Sequence, residues 1–515
     1  MNIIPTVLGA KPGIQRDGTR YNSNHFTSGE GVRFYHGWAQ KILGWTNVFG
    51  PDNFIGDDEV IGSMMGVPRS RSWDVYLGRP ASLNFFNLTN DGNIGPEISR
   101  TPLTLFVPDD ENLWCMTLAL VYPASPAAES IIIAQVAHNL NDITNETDGP
   151  VFFGPKNSNA PLTPMLDDES PIYCSGGVIE SSGTIVVYGN QGIRWCTTEE
   201  INTWSKWKPV GNTKCCAAVN YQGSLLLWTL NGLYRAQYTP GADTTDLGDW
   251  SIQEISPNIS IWSSKSILVY ENIVYWLGKG QFYTFNGSVG NLYNTMNNNY
   301  FFDGFNRNFK AKAATFVDEK NQEIWFLYPR GDNSENSHAV MYYTESRVWN
   351  DTPMPRSLGL SLSTYDYRLM PSTKLYTSSS GGSFFQTYPL FQHEYGYDDV
   401  FNGTSRPIKA SITYPIKDFF SAQPTAENNI CILSFRIEPD FILLGEMTVK
   451  LINRMYAQDE PEETPEYTFD QTTTYIDIKP TQGRLVGVNF TIDVLGGYFE
   501  SGKTLHGINK GAAAA

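Results

Sequence analysis

Residues 497–504 read Gly497-Tyr498-Phe499-Glu500-Ser501-Gly502-Lys503-Thr504, which fits the phosphate-cradling pattern G-x-x-x-x-G-K-[ST]. Such a loop works by opening a helix whose first amides face the anion. Here it is followed by Leu505-His506-Gly507-Ile508-Asn509-Lys510-Gly511, whose two glycines do not favour a helix, and Glu500 would repel phosphate. No room is left for the rest of a nucleotide-binding sheet, so the stretch is read as a structural turn. Carboxylates cluster at Asp57 to Glu59, Asp109 to Glu111 and Asp167 to Glu169, each an Asp-Asp-Glu triplet. Carboxylate oxygens bind Ca²⁺ or Mg²⁺ when several converge. Neighbours along an extended chain point alternately to opposite sides, so these triplets are read as solvated loops.

The six histidines (His25, His36, His138, His338, His393 and His506) show neither H-x-H nor H-E-x-x-H spacing. The six cysteines (Cys115, Cys174, Cys196, Cys215, Cys216 and Cys431) form no C-x-x-C pair and read as buried thiols of a reducing compartment. Thr197-Thr198-Glu199-Glu200-Ile201-Asn202-Thr203-Trp204 resembles the sialidase turn S-x-D-x-G-x-T-W, with Glu in place of Asp and Ile in place of Gly. That turn is itself structural, and the arginine cluster and tyrosine nucleophile of sialidases are not singled out by any spacing. Asn297-Asn298-Asn299-Tyr300-Phe301-Phe302-Asp303-Gly304-Phe305 is either a loop presenting aromatics to a protein partner or a loop folded onto its own sheet. No catalytic, cofactor-binding or metal-ligating residue is therefore assigned, no cofactor is expected, and the chain is expected not to be an enzyme.

A net charge of -17 argues against a static grip on nucleic acid, which needs Lys and Arg to displace counterions. It does not exclude a passage through which DNA slides. Met1 to Ala10 lacks a basic region ahead of an apolar run, so no signal peptide is read, and no run approaches a membrane span. At 515 residues the chain exceeds one ordinary core, and 13% aromatics with Gly 45 and Pro 30 favour many strands joined by turns.

The elements repeat. Within residues 172–209 an apolar strand (Ile172 to Ile179) is followed by the turn Glu180 to Gly183, then by the strand Thr184 to Tyr188. A second turn leads to Ile193-Arg194-Trp195, and the unit closes on Trp204 to Pro209. Similar pairs recur at Val75-Tyr76-Leu77, Ile131 to Ile133, Leu225 to Trp228, Ile273 to Trp276, Ile324 to Leu327, and Leu375-Tyr376 with Gly381 to Phe384. Their spacing is that of propeller blades. Small residues at Gly176-Gly177, Cys215 to Ala218 and Ala311 to Ala314 suit strands converging on an axis, and Trp204, Trp250 and Trp349 suit outer strands. The predicted fold is all-β: a β-propeller of about seven blades, six being the other count allowed, with an antiparallel β platform formed mainly by the C-terminal region. Residues 1–56 are predicted to join the platform or close the ring, 57–397 to form the propeller, and 398–515 to form a β-sandwich or platform in which Asp459 to Pro465 is a hairpin loop.

Two groups of residues carry a family resemblance. Gln15-Arg16-Asp17-Gly18-Thr19, Gly31-Val32-Arg33-Phe34, Gly37 and Lys41-Ile42-Leu43-Gly44 resemble the opening of packaged-DNA stabilisation proteins, the tail nozzle or hub subunits of short-tailed bacteriophages. Arg436-Ile437-Glu438-Pro439-Asp440, Gly496-Gly497-Tyr498 and Gly502-Lys503-Thr504 resemble their end. The specific match covers about a quarter of the chain, and Ala39-Gln40 stands where such proteins tend to have Pro before the Lys-Ile pair. The resemblance implies a structural homo-oligomer of the virion, made in the host cytoplasm. Six copies would form a ring below the portal and head-to-tail adaptor, extending the DNA channel and retaining packaged DNA. Tail fibres or tailspikes would attach at its side, with a tail needle as a further candidate contact, without sequence-specific DNA binding or stable membrane insertion. An acidic bore would repel phosphate and reduce sticking. The alternatives are a propeller-type glycan hydrolase and a glycan-binding tail receptor protein.

Overall fold

The computed structural model is 54% strand and 4% helix. The structure describes residues 4–18, 23–49, 59–122, 128–138, 149–165, 171, 173–199, 201–242, 246–380, 383–416, 430–456 and 458–513. Among these residues, seven sheets follow one another, antiparallel except for one strand pair in the seventh, with inner strands Ser63–Pro68, Leu113–Val121, Gly176–Ile179, Cys215–Tyr221, Ile267–Tyr270, Ala314–Asp318 and Leu360–Leu362. Each inner strand or the turn entering it packs against the next, and Leu360–Leu362 packs back on Ser63–Pro68, so the succession closes on itself as a β-propeller. The strands form because β-branched and aromatic runs alternate with Gly, Asn and Ser turns.

The sheets meet face to face over apolar cores, and the core between the sixth and seventh is continuous with that of the platform. Tyr76 and Phe85 meet Trp114 and Ile132, Trp195 meets Trp250, Trp228 meets Trp276, and Phe282 meets Phe326 and Trp349. Near the axis only small residues fit. A Cβ on Gly177 would lie 2.7 Å from the Gln135 side-chain nitrogen.

The unit at 172–209 keeps three strands, Gly176–Ile179, Ile185–Gly189 and Gly192–Cys196, with a single bridge from Ile193 to Lys208 in place of a fourth. Ile172 lies outside the described residues, as do Asp57, Asp58 and the whole triplet 167–169. Two expectations need correction. The pair at 375–384 is not a pair of blade strands: Tyr376–Ser380 and Ser383–Thr387 form their own two-stranded sheet, and the seventh sheet uses Tyr365–Pro371 and Leu390–His393. The acidic stretch 459–465 is not all loop, because Glu462–Glu463 pairs with Ile452 and Asn453 and Lys450 meets Glu463 at 2.7 Å.

The N-terminal segment does two jobs. Trp45–Asn47 inserts into the seventh sheet, antiparallel to Leu390–His393 and parallel to Asp398–Phe401. That sheet therefore continues past 397 and ends with Thr404–Pro407, because the inserted strand leaves an edge for the following hairpin to cover. Ile4–Val7, Ser28–Glu30 and Trp38–Lys41 instead pair with strands of the C-terminal region, in three further sheets, and Val32–Tyr35 pairs with Trp38–Lys41 at the edge of one of them. Their shared core joins Val32, Phe34, Met447, Val449, Phe490 and Phe499 to Phe316, Trp325 and Met341 of the sixth blade, so platform and propeller share one apolar interior. No described helix is long and apolar enough to cross a membrane.

Candidate functional site

The residues of the N-terminal motifs converge where the platform meets the sixth and seventh sheets. Arg16 Nε donates to Asp351 Oδ1 at 2.8 Å and its Nη2 donates to Oδ2 at 3.0 Å, the fork geometry that fixes a carboxylate. Asp17 accepts from the backbone nitrogens of Asn299 (2.7 Å) and Tyr300 (2.9 Å) at the start of the helix Asn298–Gly304. The Asn297 side chain does not cap that helix, so the cap comes from 282 positions away. Asp17→Ala is expected to lower stability by about 1 kcal/mol, read as a shift in the urea unfolding midpoint.

This helix replaces the loop considered at 297–305. Phe301, Phe302 and Phe305 are buried against Phe282 and Tyr328, and Tyr300 lies between Arg16 (5.2 Å to the ring centre) and Arg330 (3.6 Å). Of the two readings, the stretch folded onto its own blade is the one observed.

Arg33 alternates in a strand with Val32 and Phe34, which places it on the face turned to the propeller. It is buried, with Glu323 at 3.0 Å, Glu394 at 2.9 Å and Asp318 at 3.6 Å, and Asp318 also pairs with Arg368. Three carboxylates thus face two guanidiniums. Burial pushes the Glu323 carboxyl up to about 7, against the pull of Arg33 and with repulsion from Asp318 and Glu394 added. Trp325 Nε1 donates to it at 2.8 Å.

Because the folded state raises this carboxyl above its ordinary value of 4.5, the folded chain binds the proton more tightly. The contribution of Glu323 to stability is then full below that value and is lost as pH rises through about 7. Glu323→Gln is expected to flatten the decline of the urea midpoint over that window. Identical pH profiles for variant and parent would contradict the assignment.

Lys41 and the C-terminal motifs complete the joint. Lys41 is buried, its Nζ donates to the Gly497 carbonyl at 2.6 Å, and burial draws its pKa down to about 8. Gly496 N donates to both Asp398 carboxylate oxygens at 2.9 and 3.0 Å, tying the platform turn to the seventh sheet. Within 497–504 the chain runs as the strand Tyr498–Ser501, and the following element is the strand Leu505–Ala513. The amides of Gly502 and Lys503 are taken by the Asp440 carbonyl and carboxylate at 2.6 Å each. An aspartate occupies the place a phosphate would need.

The remaining sequence candidates are dispersed. His393 accepts from Arg356 Nε at 2.7 Å, and burial and that guanidinium hold it far below its ordinary pKa. Burial draws His338 and His506 down to about 4. Asp109 to Glu111 form an exposed turn, and Glu199 lies beside Glu200, which is outside the described residues. Cys115, Cys174, Cys196, Cys215 and Cys216 form no disulfide, and burial pushes the Cys196 and Cys215 thiols up. Glu323, Glu394, Asp318, Asp351 and Lys265 were not singled out by sequence reasoning. A charged residue inside an apolar run, as in Val32-Arg33-Phe34 or Glu323-Ile324-Trp325, is the available signal.

Two cavities flank this framework. One of about 310 Å³ lies between the tip of the hairpin formed by Val32–Tyr35 and Trp38–Lys41 and the sixth sheet, lined by Tyr35, His36, Asn321, Gln322 and Glu345 among others. The other, of about 230 Å³, lies at one mouth of the propeller axis and contains Lys265, Lys312 and Glu335.

No known protein family matches the chain, and no curated protein does. Solved structures with a similar fold include a catalytically inactive virginiamycin B lyase from Staphylococcus aureus crystallised with quinupristin, at 10% identity and TM-score 0.33. That match covers 59% of this chain and 97% of the lyase. They also include a PL25 ulvan lyase (9% identity, TM-score 0.36, 68% of this chain and 96% of that one). A third is the exo-β-1,3-galactanase of Phanerochaete chrysosporium bound to galactose (10% identity, TM-score 0.30, 91% and 100%). The expectation that the chain is not an enzyme is corrected by these findings, since the structures sharing its fold include glycan lyases and hydrolases. At such low identity and TM-score the likeness is one of fold, and it brings neither substrate nor reaction to this chain.

Proposed function

We propose that the chain is a ring-forming subunit of a short phage tail, a nozzle or hub below the portal and head-to-tail adaptor that extends the DNA channel, helps retain the genome and anchors fibres or tailspikes. The observation that carries this reading is the joint. Of the motif residues behind the family resemblance, Arg16, Asp17, Arg33 and Gly496 bond to the propeller side of the joint, and Lys41, Asp440 and Gly497 brace its platform side. What the resemblance preserves is thus an architecture of two bodies held rigidly together, as a load-bearing ring requires. Lys265 bonds the Gly62 carbonyl directly between the fifth and first sheets, so a passage for DNA belongs to the space enclosed by several copies and not to the propeller axis. The charge of -17 per chain suits a bore that DNA must traverse without adhering. The test is electron microscopy of the purified chain mixed with the adaptor ring. Six-fold rings stacked on the adaptor are expected, and a chain that stays monomeric and ignores the adaptor would overturn the reading.

A second reading, glycan binding or cleavage, is favoured by the hairpin cavity. It sets the Tyr35 and His36 rings, 3.9 Å apart, beside the amides of Asn321 and Gln322 and the Glu345 carboxylate. An apolar ring face next to fixed polar groups suits a sugar. Binding of host polysaccharide that Tyr35→Ala abolishes would support it, and release of shortened glycans would distinguish cleavage from binding.

A further inference from the structure

The axial cavity is built from segments that enter the inner strands of five sheets. Val60 and Gly62 precede the first, Leu113 opens the second, Lys265 precedes the fifth, Phe309, Ala311 and Lys312 the sixth and Ser357 the seventh. Its volume of about 230 Å³ is room for several waters or one small organic molecule. Two ammonium groups face it, and they differ. Lys312 Nζ is paired with Glu335 at 2.8 Å. Lys265 Nζ donates to the Gly62 carbonyl, a neutral partner that uses one of its three protons.

Desolvation and the like charge of Lys312 draw the Lys265 amine down to about 7, with Glu335 opposing. An ammonium held in this way is stabilised by any anion that reaches it. The rest of the lining limits which anion fits. Asp110 and Glu111 stand exposed at the mouth and repel a multiply charged ligand, whereas Val60, Leu113, Phe309 and Ala311 offer apolar wall.

We propose that the axial cavity is a binding site for a small monocarboxylate with a short apolar body, whose carboxylate accepts hydrogen bonds from Lys265 Nζ while its body packs on Leu113 and Phe309. The site is independent of the tail-ring reading. A ligand there would bridge the first, second, fifth and sixth sheets and tighten the ring at its mouth, since binding to the folded state alone stabilises it.

The experiment is calorimetric titration of the full chain with butyrate, against butanol and inorganic phosphate as comparison probes. Butyrate is expected to bind in preference to both. Lys265→Met is expected to weaken butyrate at least tenfold. Because that variant also removes the tie to Gly62, Leu113→Phe is the second variant: it fills the cavity, leaves Lys265 in place and is expected to weaken butyrate comparably. The proposal is overturned if butyrate does not bind at tens of millimolar, if phosphate or butanol binds as well as butyrate, or if both variants, still folded by circular dichroism, bind butyrate like the parent.

Discussion

Replacing Arg33 by methionine is expected to lower the free energy of unfolding by about 3–5 kcal/mol, the loss typical of removing one partner from a buried charge cluster. The guanidinium is 4% exposed and is the cation that meets both the Glu323 and the Glu394 carboxylates. Without it, Asp318 keeps its pairing with Arg368, whereas the desolvation of Glu323 and Glu394 is no longer offset by the guanidinium they now meet. The loss should be larger at pH 8 than at pH 5, since Glu323 takes up a proton below about 7 and ceases to repel its neighbours. Combining Arg33→Met with Glu323→Gln should restore part of the loss, because the second change removes a stranded charge. Urea unfolding of the two single variants, the double variant and the parent checks this. Additive losses in the cycle would show that the two side chains do not interact.

Trp45→Ala should be nearly as damaging, by about 3–5 kcal/mol. Trp45 lies on the strand that the N-terminal segment inserts between Leu390–His393 and Asp398–Phe401. Its ring stacks on His393 at 5.0 Å and lies under the Arg356 guanidinium at 4.6 Å, and its Nε1 donates to Asp399 Oδ1 at 2.8 Å. Truncation opens a void and strips one hydrogen bond from Asp399, leaving that carboxylate the Tyr376 hydroxyl at 2.9 Å. Since this strand completes the last sheet of the ring, faster hydrogen exchange is expected first in Leu390–His393 and Asp398–Phe401, with the fourth and fifth sheets little changed. Trp38→Ala is the control. That ring is 41% exposed, and its loss should stay within about 0.5 kcal/mol. Uniform exchange across all sheets in Trp45→Ala would mean that the ring opens as one unit.

Both variants act where the N-terminal segment ties the two bodies of the chain together. The ends of the chain are laced together by Ile4–Val7 pairing with Leu505–Ala513, and the propeller is closed by a strand from the same N-terminal segment. Pulling the platform away from the propeller therefore breaks buried ion pairs and strand pairing together. A linker of polar loop would offer no such resistance.

The sequence by itself determined the all-β class and the succession of blades, because period-two apolar runs and Gly-marked turns are local properties that each sheet repeats. It also ruled out the phosphate loop at 497–504, since no helix-forming run follows Lys503. The family resemblance pointed to Arg16, Arg33 and Lys41 without saying what they touch. Only the tertiary structure decided that. Glu323, Glu394 and Asp351 lie 290, 361 and 335 positions from their arginines, and no local pattern encodes a pairing across such distances. The same holds for Lys265, whose neighbours Gly62, Asp110 and Glu335 come from three other sheets and meet only because the ring closes. The helix at 298–304 was hidden for a related reason: its cap, Asp17, is supplied from the far end of the chain, and its phenylalanines make it a core element only once Phe282 and Tyr328 are in place. Local chemistry chose the strands, and long-range closure chose what their charged residues face.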